Sequence, residues 1–342
     1  MTQEQLDITR LEQQDKPTRT DNHRENGYVV GVDIGGTNLR LALTDLAGVI
    51  VAKSAASTVG IRDASVVIGL ICEGIDSLLH QVSASRSALR AIAAGAPGVT
   101  NVEDGIVIAT SYLMGWRDVP FRALLESALG IPATVDNDVN LAAIGESWAG
   151  AAKGTRDFVF LAIGTGVGAG IILNGQPFRG MGWTAGEIGY MLVPGTSDKP
   201  ADVGAPGALE SIIGGEGIKD QWRRIWSKDS TPLPEDLTAT EIFDGALQGD
   251  ALAQSILKQT AHLLANAIYN IALVLNCPLF VLGGGVGLHP ALRNATSDIL
   301  QGWGTRVKPQ VLVSTLGADA QLMGAIRLAL NIAAEHPAKM PA

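Results

Sequence analysis

The period of the hydrophobic pattern changes several times along the chain, and each change predicts one element. An apolar run over residues 28–34 predicts a buried strand. Apolar and polar residues then alternate over 39–44, which predicts a second strand and not a helix. Residues 49–54 predict a third strand, so the chain begins as a meander. Apolar residues at helical spacing over 64–79 predict a helix that packs one face on this sheet.

The same reasoning extends to the end of the chain. Further strands are predicted over 91–96, 105–109, 132–135, 158–163, 171–175, 278–282 and 311–314. Further helices are predicted over 120–129, 141–152, 250–276 and 319–334. This alternation of strands and helices indicates an α/β fold.

Composition narrows the class of protein. The chain has 342 residues, of which 46% are apolar and 17% charged, as in a globular protein. The formal charge of −9 offers no basic surplus for nucleic acid. Residues 1–26 are polar, without the apolar core of a signal peptide, and no stretch reads as a membrane span. Cys72 and Cys277 are expected as buried thiols in a reducing compartment, so we expect a cytoplasmic enzyme without nucleic-acid or membrane partners.

The first strand ends in an acid followed by a glycine turn. Asp33 precedes Gly35 and Gly36, and Thr37 and Asn38 lead into the second strand. Adjacent glycines let a bulky anion approach backbone amides. A carboxylate at this strand end can hold a divalent cation directly or through water. We interpret the unit as a strand–turn–strand clamp for phosphate.

Other turn types compete with this interpretation. A Gly-Gly-Thr sequence also occurs in ordinary hairpin turns. A dinucleotide site requires a glycine motif that opens a helix, whereas here a strand follows. A P-loop requires a lysine, and residues 35–38 contain none.

The pattern of strand, glycine turn and strand recurs over residues 158–175. Its turn contains Gly164, Thr165, Gly166 and Gly168. A repeated unit predicts two similar domains that face each other. Two such turns can grip one polyphosphate from both sides.

The segment around Asp138 follows a predicted strand and precedes a predicted helix. Asp138 therefore has two interpretations, as the cap of that helix or as a general base at a strand end. Asn137 beside it offers an amide that can fix a substrate hydroxyl. Asp136 is interpreted as a structural carboxylate.

Other loops contribute polar or flexible groups. Gly98 follows a strand in a Pro-Gly pair, a position where ligands commonly sit. Glu187 and Glu210 lie in separate loops, either as dipole partners at helix ends or as ligands for sugar hydroxyls. Gly284 and Gly285 follow a buried strand and leave room for a flat group such as adenine.

Two aromatic residues share another loop. Tyr112 and Trp116 are interpreted either as core anchors or as a platform beside a small polar ligand.

Taken together, these motifs resemble the ROK sugar kinases, bacterial glucokinases above all, within the actin-like ATPase superfamily. The resemblance covers residues 28–332 and rests on segments 33–38, 95–98, 137–140 with 145–146, 164–168, 185–189 and 283–285. It implies a ribonuclease H-like fold with two lobes, each a mixed sheet flanked by helices. The expected division is a flexible tail (1–26), a small lobe (27–137 with 319–336) and a large lobe (138–318).

The resemblance also implies roles for individual residues. It gives Asp138 as the catalytic base. Sugar ligands would be Gly98, Asn137, Asp138, Glu187, Tyr190 and Glu210. ATP would be bound by Asp33, Gly35, Gly36, Thr37, Asn38, Gly164, Thr165, Gly166, Gly168, Gly284 and Gly285. Mg²⁺ would lie near Asp33, most simply through water, and the protein would be a homodimer.

The chain departs from the family pattern at its zinc site. Tyr190 replaces the usual His, and Ala201, Val203 and Ala208 stand at the usual cysteine positions. Tetrahedral zinc needs thiolates or imidazoles, so we expect no structural zinc. Tyr112 also replaces an Asn that the family has before its Gly-Trp pair.

The expected activity is transfer of the γ-phosphate of ATP to the 6-hydroxyl of glucose. Fructose, mannose or N-acetylmannosamine are alternative acceptors, since a phenol at position 190 donates from a different place than an imidazole. A sugar-responsive regulator would need a helix-turn-helix domain, for which residues 1–26 are too short. A non-catalytic actin-like assembly or sugar-sensing protein is the remaining alternative.

Overall fold

The computed structural model describes residues 27–110, 115–202 and 205–336. Its strands are β1 (Tyr28–Ile34), β2 (Asn38–Asp45), β3 (Ile50–Ser57), β4 (Leu89–Ala96), β5 (Val99–Asn101), β6 (Ile106–Ala109), β7 (Arg117–Val119), β8 (Ala133–Asn137), β9 (Phe158–Ile163), β10 (Val167–Leu173), β11 (Gln176–Phe178), β12 (Leu279–Gly283) and β13 (Gln310–Val313). Its α-helices are α1 (Ala64–Gln81), α2 (Phe121–Leu129), α3 (Asp138–Ala149), α4 (Glu210–Ile213), α5 (Gly215–Ile225), α6 (Ala239–Leu247), α7 (Ala251–Leu275), α8 (Gly284–Gly287), α9 (Pro290–Gly302) and α10 (Ala320–Glu335).

Two five-stranded sheets share one connectivity. The first has the order β3-β2-β1-β4-β8 and the second the order β11-β10-β9-β12-β13. In each, a central strand pairs antiparallel with the strand that follows its glycine turn and parallel with a later strand. The repeated unit expected from the sequence is thus confirmed. A small sheet, β5-β6-β7, accompanies the first one.

Apolar side chains fill both sides of the two sheets. Every residue of β1 is buried, as its continuous apolar run predicts. Helix α1 buries Val67, Ile71 and Ile75 against the first sheet, at the helical spacing read from the sequence. Trp116 is buried and its ring packs 5.0 Å from that of Phe121, so it is a core anchor. Tyr112 lies outside the described residues.

Helices α3 and α10 cross each other at backbone contact. A Cβ atom at Gly324 would lie 1.8 Å from the carbonyl oxygen of Leu141, and one at Gly145 would lie 2.2 Å from that of Ala320. Only glycine permits this approach. Helix α10 also packs on β1 and β4, whereas α3 also contacts β9 and β10. The closing helix therefore returns to the first sheet, as expected, and the pair lies between the sheets.

A buried carboxylate holds the far end of α3. Glu146 accepts hydrogen bonds from the amide of Ala151 at 2.6 Å and that of Leu316 at 3.2 Å. It also accepts the hydroxyl of Ser314. The acid thus joins α3 to the connection between β13 and α10. The expected lobe limits, residues 27–137 with 319–336 and 138–318, stay a prediction.

The sequence analysis missed the helices α5, α6 and α9 and the strands β5, β7 and β11. Further details differ from it or limit it. The helix expected at 141–152 spans Asp138–Ala149, because Asn137 caps it three residues earlier than the apolar pattern suggests. No helix in the part of the chain that the structure describes is both long and apolar enough to cross a membrane. Residues 1–26, expected as a tail, lie outside that part.

The helix crossing predicts a large difference between two Gly→Ala substitutions. Gly324→Ala is expected to lower the free energy of unfolding by about 1–3 kcal/mol, since the new methyl group would overlap the Leu141 carbonyl. Gly69→Ala, in the exposed interior of α1, is expected to raise it by about 0.5–1 kcal/mol, because a Cβ there meets nothing within 4 Å. Urea unfolding of both variants measures the difference, and equal effects would contradict the close crossing.

Candidate active site

The carboxyl ends of three parallel strands bring the candidate acids together. In the register of the first sheet, Asp33 on β1 lies beside Gly95 on β4, and Gly95 lies beside Asp136 on β8. Ligands of open α/β sheets bind at this edge. Asp138 follows β8 directly, so it stands at the same edge.

Asn137, and not Asp138, caps helix α3. Its Oδ1 accepts the amides of Val139 at 2.9 Å and Asn140 at 3.0 Å, and its Nδ2 donates to the carbonyl of Gly98 at 2.8 Å. The capping role considered for Asp138 is therefore wrong. A primary amide has two N–H donors, so Asn137 retains one for a ligand. Gly98 contributes its carbonyl, at a φ of +99° where glycine is favoured.

Burial and like charge make Asp138 a base with an unusual proton affinity. Burial raises the pKa of Asp138 to about 7, and the charges of Asp33 and Glu187 act in the same direction. A hydrogen bond from the Val139 amide opposes them. A carboxyl with a pKa near neutral is suited to take and release a proton.

Asp33 pairs with the residue directly opposite in the β1–β2 hairpin. Arg40 donates to Oδ2 of Asp33 through Nε at 3.0 Å and Nη2 at 2.5 Å, and its Nη1 lies 3.6 Å from Asp319. Burial raises the pKa of Asp33, although Arg40 lowers it. Because both donors bind Oδ2, the second oxygen of Asp33 remains for another ligand.

The first glycine turn is supported from behind. The amide of Gly35 donates to the carbonyl of Asn38 at 2.7 Å, and the hydroxyl of Thr58 donates to the carbonyl of Gly35 at 2.8 Å. Gly36, Thr37 and Asn38 remain exposed. The turn thus presents an exposed strip of backbone next to Asp33.

The second glycine turn meets two further glycine segments. The amide of Gly164 donates to the carbonyl of Gly166 at 2.9 Å, and the amide of Gly215 donates to the carbonyl of Gly164 at 2.7 Å. A Cβ at Gly164 would lie 3.9 Å from the amide nitrogen of Gly285. Thr165 is exposed at the tip of the turn. The arrangement places the N-terminus of α5 at the turn, where backbone amides favour an anion.

Gly215 is a site residue that the sequence analysis missed. The signal was present, because Gly214 and Gly215 stand directly before an amphipathic segment.

Gly284 and Gly285, which follow β12, differ in their surroundings. Gly284 has a φ of +78° and approaches the carbonyl of Ile163, where a Cβ would lie at 2.5 Å, whereas a Cβ at Gly285 would meet nothing within 4 Å. Gly285 therefore leaves open space beside the turn.

Glu187, Glu210 and Tyr190 face a common region. Burial raises the pKa of Glu187 and the charge of Glu210 raises it further. Burial also raises the pKa of the Tyr190 phenol, with both carboxylates adding to the effect. Glu210 opens the short helix α4 and accepts the amide of Val167 at 2.7 Å. It therefore has a definite backbone partner besides any effect of the helix dipole.

Backbone contacts fix the loop that carries Glu187. The carbonyl of Gly186 accepts the amide of Ala169 on β10 at 2.8 Å. Gly186 has a φ of +100°, and a Cβ there would lie 2.0 Å from the Ala169 carbonyl. At the start of the same strand, a Cβ at Gly168 would touch Val139 at 3.4 Å, one residue from Asp138. Strand β10 thus joins the second glycine turn, the Glu187 loop and Asp138.

The candidate acids do not by themselves form a cluster of metal ligands among the described residues. Within residues 27–110, 115–202 and 205–336, no group of three or more His, Cys, Asp or Glu residues is placed to hold a metal ion. Residues 190–208 contain neither His nor Cys. Ala201 and Ala208 are described, and Val203 lies outside the described residues.

The pKa of Asp138 generates a direct prediction. We expect the carboxyl carbon of Asp138 to titrate near pH 7, with the group protonated below and ionised above this value. Asp33→Asn removes a like charge and should lower the midpoint, whereas Asp229→Asn on the surface should leave it unchanged. Carbon NMR of aspartate-labelled protein measures both shifts. A midpoint near the ordinary value of 3.8 in the unaltered protein would contradict the geometry.

Comparisons with known proteins find sugar kinases of similar sequence. The chain is 34% identical over 314 residues to a glucokinase of Halalkalibacterium halodurans, and the match covers 87% of this chain and 93% of that protein. A β-glucoside kinase of Listeria monocytogenes is 26% identical over 87% of this chain and 96% of its own length.

Solved structures confirm the expected fold. The ROK hexokinase of Thermus thermophilus matches with a TM-score of 0.73 at 28% identity, over 90% of this chain and 99% of that one. A ROK family glucokinase of Streptomyces griseus, solved in complex with glucose and AMPPNP, matches with a TM-score of 0.73 at 26% identity, over 89% and 100% of the two chains. The family model for the ROK family matches residues 29–332. The chain therefore belongs to the ROK family.

Proposed function

We propose that this protein is an ATP-dependent hexokinase that transfers the γ-phosphate of ATP to the 6-hydroxyl of glucose. The observation that carries the proposal is the position of Asp138, a carboxyl with a pKa of about 7 at the strand edge next to Asp33. The relatives named as glucokinases support a sugar kinase of this kind. The specific sugar and the residue roles are our inference.

Asp138 would act as general base in this reaction. Its carboxylate accepts the proton of the sugar hydroxyl as the oxygen attacks the γ-phosphorus, and such a base contributes about 10²- to 10⁴-fold to the rate. The base is active when ionised. At low concentrations of both substrates, the rate should therefore rise with pH through about 7 and level off above.

The glycine segments would bind the phosphates of ATP. The exposed backbone of residues 36–38 and of Thr165 would stabilise negative charge, and the N-terminus of α5 would add a favourable dipole. Gly285 lies beside this turn and would leave room for the adenosine. Water would be excluded when the two lobes close, which protects ATP from hydrolysis.

The carboxylates present fit a magnesium ion. Mg²⁺ in kinases is held by one or two carboxylates together with substrate phosphates. Asp33 has an oxygen not engaged by Arg40, and the repulsion between Asp33 and Asp138 is of the kind that a cation relieves. Asp33 would hold the ion, directly or through water, and the bound ion would neutralise charge on the phosphates.

The sugar would be bound by the acids and the amide around Asp138. Glu187 and the free oxygen of Glu210 are acceptors for hydroxyl groups, and Asn137 offers one remaining N–H. Tyr190 would contribute a phenol where related kinases are expected to have an imidazole. Because both glutamates act on its pKa, its phenol is near the groups that would bind the sugar, and we infer that it affects the choice of hexose.

The role of Asp138 is tested by Asp138→Asn. This variant keeps the shape of the side chain and removes the base, so kcat should fall by about 10²- to 10⁴-fold. Glucose should still bind, as measured by isothermal titration calorimetry. Asp229→Asn serves as a matched surface control with unchanged kcat. Near-normal kcat in Asp138→Asn would refute the assignment of the base.

The choice of sugar is tested with a panel of acceptors. We expect kcat/KM in a coupled ATP assay to be highest for glucose and lower for fructose, mannose and N-acetylmannosamine. A β-glucoside belongs in the panel because a relative of the same family carries that activity in its name. A higher value for any of these would move the assignment to that sugar while leaving the kinase chemistry intact.

We also infer that the enzyme works in the cytoplasm, where it would feed glucose 6-phosphate into glycolysis, as a homodimer. The family resemblance supports these statements. Sedimentation velocity measures the oligomeric state.

A further inference from the structure

Asp136 lies on β8 of the first sheet, two residues before Asp138, the proposed base. It precedes Asn137 in β8, and its side chain is 1% exposed. Its Oδ1 accepts the amide of Asn137 at 2.8 Å and Nδ2 of Asn140 at 3.3 Å. The same carboxylate thus holds the last strand residue and the first turn of α3, between which Asp138 lies.

The remaining partner of Asp136 comes from the second sheet. Arg179 follows β11, and its Nε lies 3.1 Å from Oδ2 and 3.2 Å from Oδ1 of Asp136. Its Nη2 donates to Oδ2 as well. The guanidinium is 18% exposed, so water weakens this contact little. A planar fork on both oxygens fixes the angle between the two groups as well as their distance.

The backbone of Arg179 reaches a second functional segment. Its carbonyl accepts the amide of Ala185 at 3.1 Å. Ala185 begins the stretch that leads to Glu187, and the neighbouring Gly186 is bound to β10. One residue therefore contacts the strand end that carries the base through its side chain and the loop that carries Glu187 through its backbone.

We propose that Arg179 is a positioning residue that couples the Asp138 strand end to the Glu187 loop across the two sheets. This inference rests on the proposed function, because it concerns the alignment of the sugar hydroxyl with its base. Arg179 touches neither Asp138 nor Glu187 in the contacts described above. It acts through Asp136 and through Ala185. Small displacements of a base relative to its substrate lower the rate by about 10²-fold.

The experiment compares Arg179→Lys with a matched control. Lysine keeps the positive charge and loses the planar fork. Arg86 pairs with Asp76 in the same two-point geometry, at 2.6 and 2.7 Å, on the exposed surface. Arg86→Lys therefore makes the same chemical change away from the cleft.

We expect Arg179→Lys to lower kcat/KM for glucose by about 10- to 100-fold with KM for ATP unchanged. Hydrogen–deuterium exchange of the substrate-free protein should become faster in both segments 137–140 and 185–189. Arg86→Lys should change neither quantity. A fall in Tm without these two effects would show a merely structural ion pair and would overturn the proposal.

Asp136→Asn tests the contact from the other side and keeps the volume of the side chain. It should reproduce both effects. The double variant Asp136→Asn with Arg179→Lys should lose no more kcat/KM than Asp136→Asn alone, because both substitutions break the same contact. Additive losses would overturn the coupling. The exchange measurement needs no turnover. If the unaltered protein phosphorylated no hexose, the proposed function would fail while faster exchange in both segments would still support the coupling.

Discussion

The burial of carboxylates at the edge of the first sheet is the constraint on which the candidate site depends. Burial is the largest cause that raises the pKa of Asp138, and the charges of Asp33 and Glu187 add to it. Two arginines near these acids bind carboxylates other than Asp138. Arg40 forms an ion pair with Asp33, and Arg179 forms one with Asp136. A cation on Asp138 itself would lower its pKa and make it a weaker base. The fold therefore pairs the acids next to Asp138 with arginines and leaves Asp138 itself without such an ion pair among the described contacts.

The residue that caps α3 also helps to keep the pKa of Asp138 high. A carboxylate that caps a helix accepts several amides and experiences the helix dipole, and both effects lower its pKa. Asn137 takes the first-turn amides with an uncharged oxygen. Asp138 accepts the Val139 amide, and its own backbone amide also acts to lower its pKa, but burial and like charge outweigh both. The choice of Asn before Asp thus separates the structural role from the chemical one, and the close crossing with α10 keeps the helix in place.

Local patterns in the sequence were sufficient for most strands of the two large sheets and for the paired glycine turns. Each of these depends on neighbours along the chain, such as the apolar run of β1 or the glycines after β9. The contacts of Gly215 and Arg179 depend on segments that the fold brings together. Gly215 meets a turn about fifty residues earlier in the chain, and Arg179 meets a strand end of the other sheet. Periodicity carries no information on such pairs. The start of α3 was placed too late for a related reason, because a polar first turn gives no apolar signal.

In the segment that contains neither His nor Cys, two loops pack against each other through their main chains. The amide of Leu209 donates to the carbonyl of Gly189 at 3.0 Å. A Cβ at Gly207 would lie 2.2 Å from the same carbonyl, so the two loops touch along their main chains. Ala208 is buried beside them. These contacts hold the loops that carry Glu187 and Glu210 next to each other. Tyr190 is 47% exposed, and the charges of both glutamates add to the effect of burial in raising the pKa of its phenol.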